Sequence, residues 1–208
     1  MRLGFKRFVA VVFGCAFALS SVARGTPVLT FTVPSTFISV NNDQSVGWQF
    51  NVNAATLVTG LGWYDDLSNG LSNAHQVGIW SPSGTLLASA TVPAGTAAGF
   101  DGQFRTVSIT PITLTPGAGY IVGGENFANS TDRIASDVPS QIVDPRITYV
   151  DATFSNIGLG FTRPATFSIA TTGFYGPSFS VGIPEPAAAG ALTVAACAMM
   201  IRRCRRGV

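Results

Sequence analysis

Asp65-Asp66-Leu67-Ser68-Asn69-Gly70 is the densest group of hard oxygen ligands in the chain. Ca²⁺ takes roughly six to eight such ligands, and Asp65, Asp66 and Asn69 with neighbouring carbonyls could supply a share of them. The spacing lacks the alternating acids and distal glutamate of an EF-hand, and the plainer alternative is a solvated loop turned by Asn69-Gly70. Just before it stand Trp63 and Tyr64. On a strand these neighbours point to opposite faces, so at least one is expected to be accessible. An aromatic face stacks on a sugar ring while amides and acids beside it take the hydroxyls, which makes Trp63 and Tyr64 candidate glycan-binding residues. His75 is the single histidine. No Gly-x-Ser-x-Gly elbow accompanies it, so a hydrogen bond holding the 65–74 loop is its expected role rather than catalysis. Asp132, Asp137, Asp144 and Asp151 recur later, near Arg133, Arg146 and Arg163. A glycosidase would need two of these carboxylates about 5 to 9.5 Å apart, and scattered surface acids are the simpler reading.

The elements that would position these groups read as β throughout. Val46, Trp48, Phe50 and Val52 alternate with Gly47, Gln49 and Asn51, the period of a strand with one face in a core and the other wet. Further strands are predicted over 56–64, 76–80, 86–92, 104–109, 120–125, 147–154, 166–170 and 179–181. Gly, Pro, Ser, Asn and Asp clusters separate them, and Ser81-Pro82-Ser83-Gly84 is a turn signal between two strands. The stretch 126–145 is polar and poorly patterned, a predicted long loop of the kind that carries binding. The expected fold is all-β: an antiparallel β-sandwich or jelly roll. Trp48 and Trp80 are expected in its core.

Both ends carry addresses. Arg2, Lys6 and Arg7 precede an apolar stretch over 8–19, and Ser21-Val22-Ala23 places small residues where a signal peptidase looks, so 1–23 is a predicted secretory signal peptide. The far end holds Ile183-Pro184-Glu185-Pro186, an apolar run over 187–201, and Arg202, Arg203, Arg205 and Arg206. At 1.5 Å per residue that run makes a helix of about 22 Å, a marginal anchor for a hydrocarbon core of about 30 Å. The arginines would stay on the cytoplasmic side as a membrane stop, which puts everything before Pro184 outside. The segment closely resembles the PEP-CTERM sorting signal of exported bacterial proteins. That resemblance implies that Pro184, Glu185 and Pro186 are the motif read by an exosortase, and it implies association with exopolysaccharide.

Between the two signals lies one expected domain, 24–182. Five arginines against nine acids from Arg24 to Ile183 give it a net charge of −4 with no lysine, which argues against nucleic acid or anionic lipid as a partner. All three cysteines (Cys15, Cys197, Cys204) fall in the targeting segments, so the domain is expected to have no disulfide.

A second resemblance runs through the strands. Gly47-Trp48-Gln49-Phe50, Val58-Thr59-Gly60-Leu61-Gly62, His75-Gln76-Val77-Gly78-Ile79-Trp80 and Gly84-Thr85-Leu86-Leu87-Ala88 are similar to an uncharacterised β-sandwich domain of exported bacterial proteins, over roughly 44–126. No activity attaches to that family, so it assigns no catalytic residue. The expectation is therefore a non-enzymatic protein of the cell surface or extracellular matrix. The alternative is a carbohydrate-binding module using Trp63, Tyr64 and the Asp65 loop; a surface glycan or ester hydrolase comes third.

Overall fold

The computed structural model describes residues 25–33, 37–38, 42–168 and 173–182. The predicted signal peptide and sorting segment lie outside the described residues, as does the end of the 166–170 strand. No helix occurs among the described residues, and hence none long and apolar enough to cross a membrane.

Fifteen strands follow in chain order: β1 (Thr26–Pro27), β2 (Leu29–Phe31), β3 (Phe37–Ile38), β4 (Gln44–Val52), β5 (Thr56–Tyr64), β6 (His75–Trp80), β7 (Leu86–Val92), β8 (Gly99–Asp101), β9 (Phe104–Leu114), β10 (Gly117–Asn126), β11 (Ile134–Ala135), β12 (Gln141–Val143), β13 (Ile147–Phe154), β14 (Thr166–Ser168) and β15 (Pro177–Val181). They form a five-stranded sheet of order β1-β15-β5-β9-β8 and a six-stranded sheet of order β14-β13-β4-β10-β6-β7, with short ribbons β11-β3 and β12-β2. Every strand pairing is antiparallel.

The two large sheets meet through the apolar phase read from the sequence. Val46, Trp48, Phe50 and Val52 of β4 are all buried. Trp48 stacks on Phe179 of β15 at 5.8 Å, Phe50 lies 5.1 Å from the same ring, and the Trp48 indole N–H donates to the Pro177 carbonyl at 3.0 Å. A buried indole with its one donor satisfied contributes its full apolar area without a polar penalty. Trp80 is buried too, under Phe161.

The outer face of β4 is drier than alternation implies. Ser45 and Gly47 are buried, because the chain after β13 folds back over the sheet. The Ser45 amide donates to Ser155 Oγ, while the Ser45 hydroxyl donates to the Gly160 carbonyl and accepts from the Thr162 amide. Gly47 permits the close pairing of β4 with β10: a Cβ there would lie 2.0 Å from the Val122 carbonyl oxygen.

The end of β9 moved for a reason of register. β9 runs five residues past its predicted end, through Pro111. Its ladder with β5 jumps from Gly60↔Ser108 to Val58↔Ile112, so Pro111 sits in a bulge that asks for no amide donor. The predicted 126–145 loop contains β11 and β12, which are too short to show a period in sequence.

Candidate functional site

The 65–74 loop connects β5 to β6, on opposite sheets, and is held at both ends by buried charge. Asp65 Oδ2 accepts from Arg105 Nε at 2.8 Å and from the Gly70 amide at 2.9 Å; the two charged side chains are 1 % and 8 % exposed. Arg105 also donates to the Ser68 carbonyl at 3.2 Å and lies over the Phe100 ring at 4.8 Å. Gly70 has φ +99°, a left-handed backbone that suits glycine and lets its amide turn in toward Asp65. Asp66 leaves in another direction, accepting from Arg133 Nε at 2.6 Å and from its terminal nitrogen.

His75, the first residue of β6, is 0 % exposed. Its ring stacks on Trp63 at 3.9 Å and 5°, with Phe127 on a further side at 5.6 Å. Nδ1 faces the Glu125 carbonyl at 2.8 Å, and Nε2 faces Asp132 Oδ2 at 2.9 Å. The Asp132 carboxylate also accepts from the Ser72 amide at 2.8 and 3.0 Å and from the Asn73 amide at 3.0 Å. Burial pushes the Asp132 carboxyl upward, but hydrogen bonds from His75 and from Ser72 and Asn73 outweigh it and hold it down at about 2.

These bonds build a cleft of about 290 Å³. One wall is the 66–72 segment, with Asp66, Asn69 and Ser72; the other is Thr131, Asp132 and Arg133; Leu67, Leu71 and Gly95 complete it. Reciprocal amide-to-carbonyl bonds between Leu71 and Gly95, at 3.2 and 2.7 Å, fix its floor.

Several expectations change on this geometry. Trp63 and Tyr64 do not offer a stacking face: they are 0 % and 1 % exposed. Trp63 lies between the sheets against His75, and the opposite face, that of Tyr64, is covered by Phe31 and Phe104 at 5.2 and 5.9 Å. Burial, with Asp66 nearby, raises the Tyr64 phenol to about 12. Asp65 and Asp66 do not converge as a Ca²⁺ cage with Asn69, because each carboxylate turns to its own arginine. Among the described residues no three His, Cys, Asp or Glu side chains gather as a metal site. The later acids disperse as well: Asp144 takes three hydrogen bonds from Arg146 at 2.8–2.9 Å, which hold its carboxyl low, and Asp151 caps the Ala152 amide.

His75 does not bond the 65–74 loop itself: its two ring nitrogens face Glu125 and Asp132, and only Asp132 receives the loop's Ser72 and Asn73 amides. The partners Asp132 and Ser72 were not foreseen as a unit, nor was Arg105. The signal available was weak: one histidine, and one adjacent acid–base pair, Asp132-Arg133, inside a polar stretch.

The fold is an all-β antiparallel domain with a small polar cleft between its 66–72 and 131–133 segments. Residues 32–137 match the family described as Domain of unknown function (DUF4082), and the chain belongs to that family. No curated protein matches it. Among solved structures it is similar to a family 35 carbohydrate binding module from an environmental isolate, at 18 % identity and a TM-score of 0.35, over 64 % of this chain and 94 % of that one.

Proposed function

We propose that this protein is an exported, exosortase-processed component of the cell surface or extracellular matrix, which acts by binding, and that its cleft takes a carbohydrate unit of a polysaccharide. Export rests on the two terminal sequence signals. Binding rests on the cleft: Asp66, Asn69, Ser72, Thr131 and Arg133 set donors and acceptors around about 290 Å³, the low end of the range for small-molecule pockets and enough for a single sugar ring. A ligand rich in hydroxyls, each donor and acceptor at once, matches such a lining better than an apolar one does.

The hydrolase reading gets no support from His75. His75 is buried and both ring nitrogens are committed to Glu125 and Asp132, so neither reaches a serine hydroxyl or a substrate proton. The test is a glycan array, followed by calorimetric titration of any binder, with the exported protein and its Asn69→Ala variant. Asn69 is exposed on the cleft wall, and losing one hydrogen bond to the ligand weakens affinity by roughly tenfold. An array on which the folded wild type retains no glycan, or an Asn69→Ala variant with unchanged affinity, sinks the assignment of this cleft.

A further inference from the structure

The hydrogen bonds of His75 carry more than a structural anchor. Its Nδ1 faces a backbone carbonyl, which can only accept. Its Nε2 faces the Asp132 oxygen that already accepts from the Ser72 and Asn73 amides. A neutral imidazole has one donor nitrogen and one acceptor nitrogen, and would set a lone pair against one of these oxygens. In a fully buried site that mismatch has no water to relieve it. The ring also lies flat on the face of Trp63, an arrangement that favours a cation.

We infer that His75 is a positioning residue held as the imidazolium, and that the buried His75–Asp132 ion pair is a pH-sensitive latch which keeps the cleft in its binding shape. This rests on the reading of the cleft as the binding site and adds its regulation. Asp132 is the connecting piece, since it lines one wall and receives the Ser72 and Asn73 amides of the other. His75 ties Asp132 in turn to the end of β10, from which the 127–133 segment departs.

The charged and titratable groups around the ring leave the pair to dominate. β5 presents Trp63, which carries no titratable group, while Tyr64, a phenol that stays neutral up to about 12, lies on the other face of the strand. β10 presents the Glu125 carbonyl, while the Glu125 carboxylate points outward toward Gly160. The 130–133 segment brings Asp132 and Arg133, and Arg133 is paired with Asp66 of the 65–74 loop.

The signs are opposite at the two ends of the pH range. Asp132 has a folded value below its unfolded one, so its contribution is present above about pH 4 and fades as pH falls toward 2. At the other end the latch requires a proton on each ring nitrogen, because both face oxygens.

A chain with one histidine makes the experiment direct, because every ring signal belongs to His75. Ring ¹⁵N shifts are recorded on the exported protein without ligand from pH 5 to 10, together with amide hydrogen exchange at Ser72 and Asn73. The expected result is two protonated nitrogens at neutral pH, and at least tenfold faster exchange at both amides, beyond the intrinsic rise with pH, as the ring deprotonates. A ring with one bare nitrogen at neutral pH in the native protein overturns the proposal, as does amide protection that ignores the ring's titration. Asp132→Asn supplies the second reading: its amide can donate to Nε2, so the ring is expected to become the neutral tautomer protonated on Nδ1, and a ring unchanged in that variant also overturns the latch. For a glycan that binds, affinity is expected to fall about tenfold through the same transition; constant affinity refutes the regulation. If the ring and amides behave as expected while no glycan binds at any pH, the latch stands and the binding reading falls.

Discussion

Asp65→Ala removes the carboxylate from a buried pair and leaves its partner behind. Arg105 would keep a full charge in a site where it is 8 % exposed, with only the Ser68 carbonyl and the Phe100 ring as remaining contacts. Breaking a buried pair from one side costs about 3–5 kcal/mol, because the orphaned charge has lost both water and counter-charge. The Gly70 amide loses its acceptor as well, but it is half-buried and can turn to water, so it adds little. Taking about 4 kcal/mol, and roughly 2–4 °C per kcal/mol for a domain of this size, the melting temperature should fall by roughly 8–16 °C. Native stabilities of about 5–15 kcal/mol leave the variant foldable at 25 °C. The assay is urea unfolding followed by tryptophan fluorescence, with calorimetry for the melting temperature. Arg105→Met and the double variant complete a cycle, and the double variant should be more stable than Asp65→Ala alone, since no charge is left unpaired. An Asp65→Ala variant within 1 kcal/mol of wild type, or a double variant as unstable as the sum of the singles, would refute the account of the pair as a buried clamp.

Gly47→Ala tests the close approach of β4 and β10. The added methyl would meet the Val122 carbonyl oxygen at 2.0 Å and Gly123 Cα at 2.7 Å, both backbone, so a destabilisation of about 3 kcal/mol or more is expected by the same urea assay. Glu185→Ala tests the sorting motif: intact mass and fractionation should show the wild type lacking its tail and the variant retained in the membrane with it. An uncleaved wild type would instead indicate a permanently anchored protein.

Where period alone decides the outcome, the chain was readable. Strands at 56–64, 86–92 and 147–154 match β5, β7 and β13 to the residue, because a strand in contact with one core face must alternate along its own length. The burial of Trp48 and Trp80 followed from the same pattern. Pro111 disguised the end of β9, since a bulge is a relation between two strands and leaves no period in either.

The site belongs to a different order of information. Alternation correctly put Trp63 and Tyr64 on opposite faces, but exposure of one of them failed because a second layer, including Phe31 of the β2-β12 ribbon, covers Tyr64. The paired aspartates read as a shared ligand set, yet their partners are Arg105 and Arg133, 40 and 67 positions away. His75 meets Asp132 across 57 positions, at a junction made by β6, the end of β10 and the segment beyond it. Local residue order carries the backbone's period, because that is a property of consecutive residues. Which carboxylate neutralises which cation, and whether an aromatic face sees water, depend on the packing of segments remote in sequence, where burial and Coulomb attraction act through space.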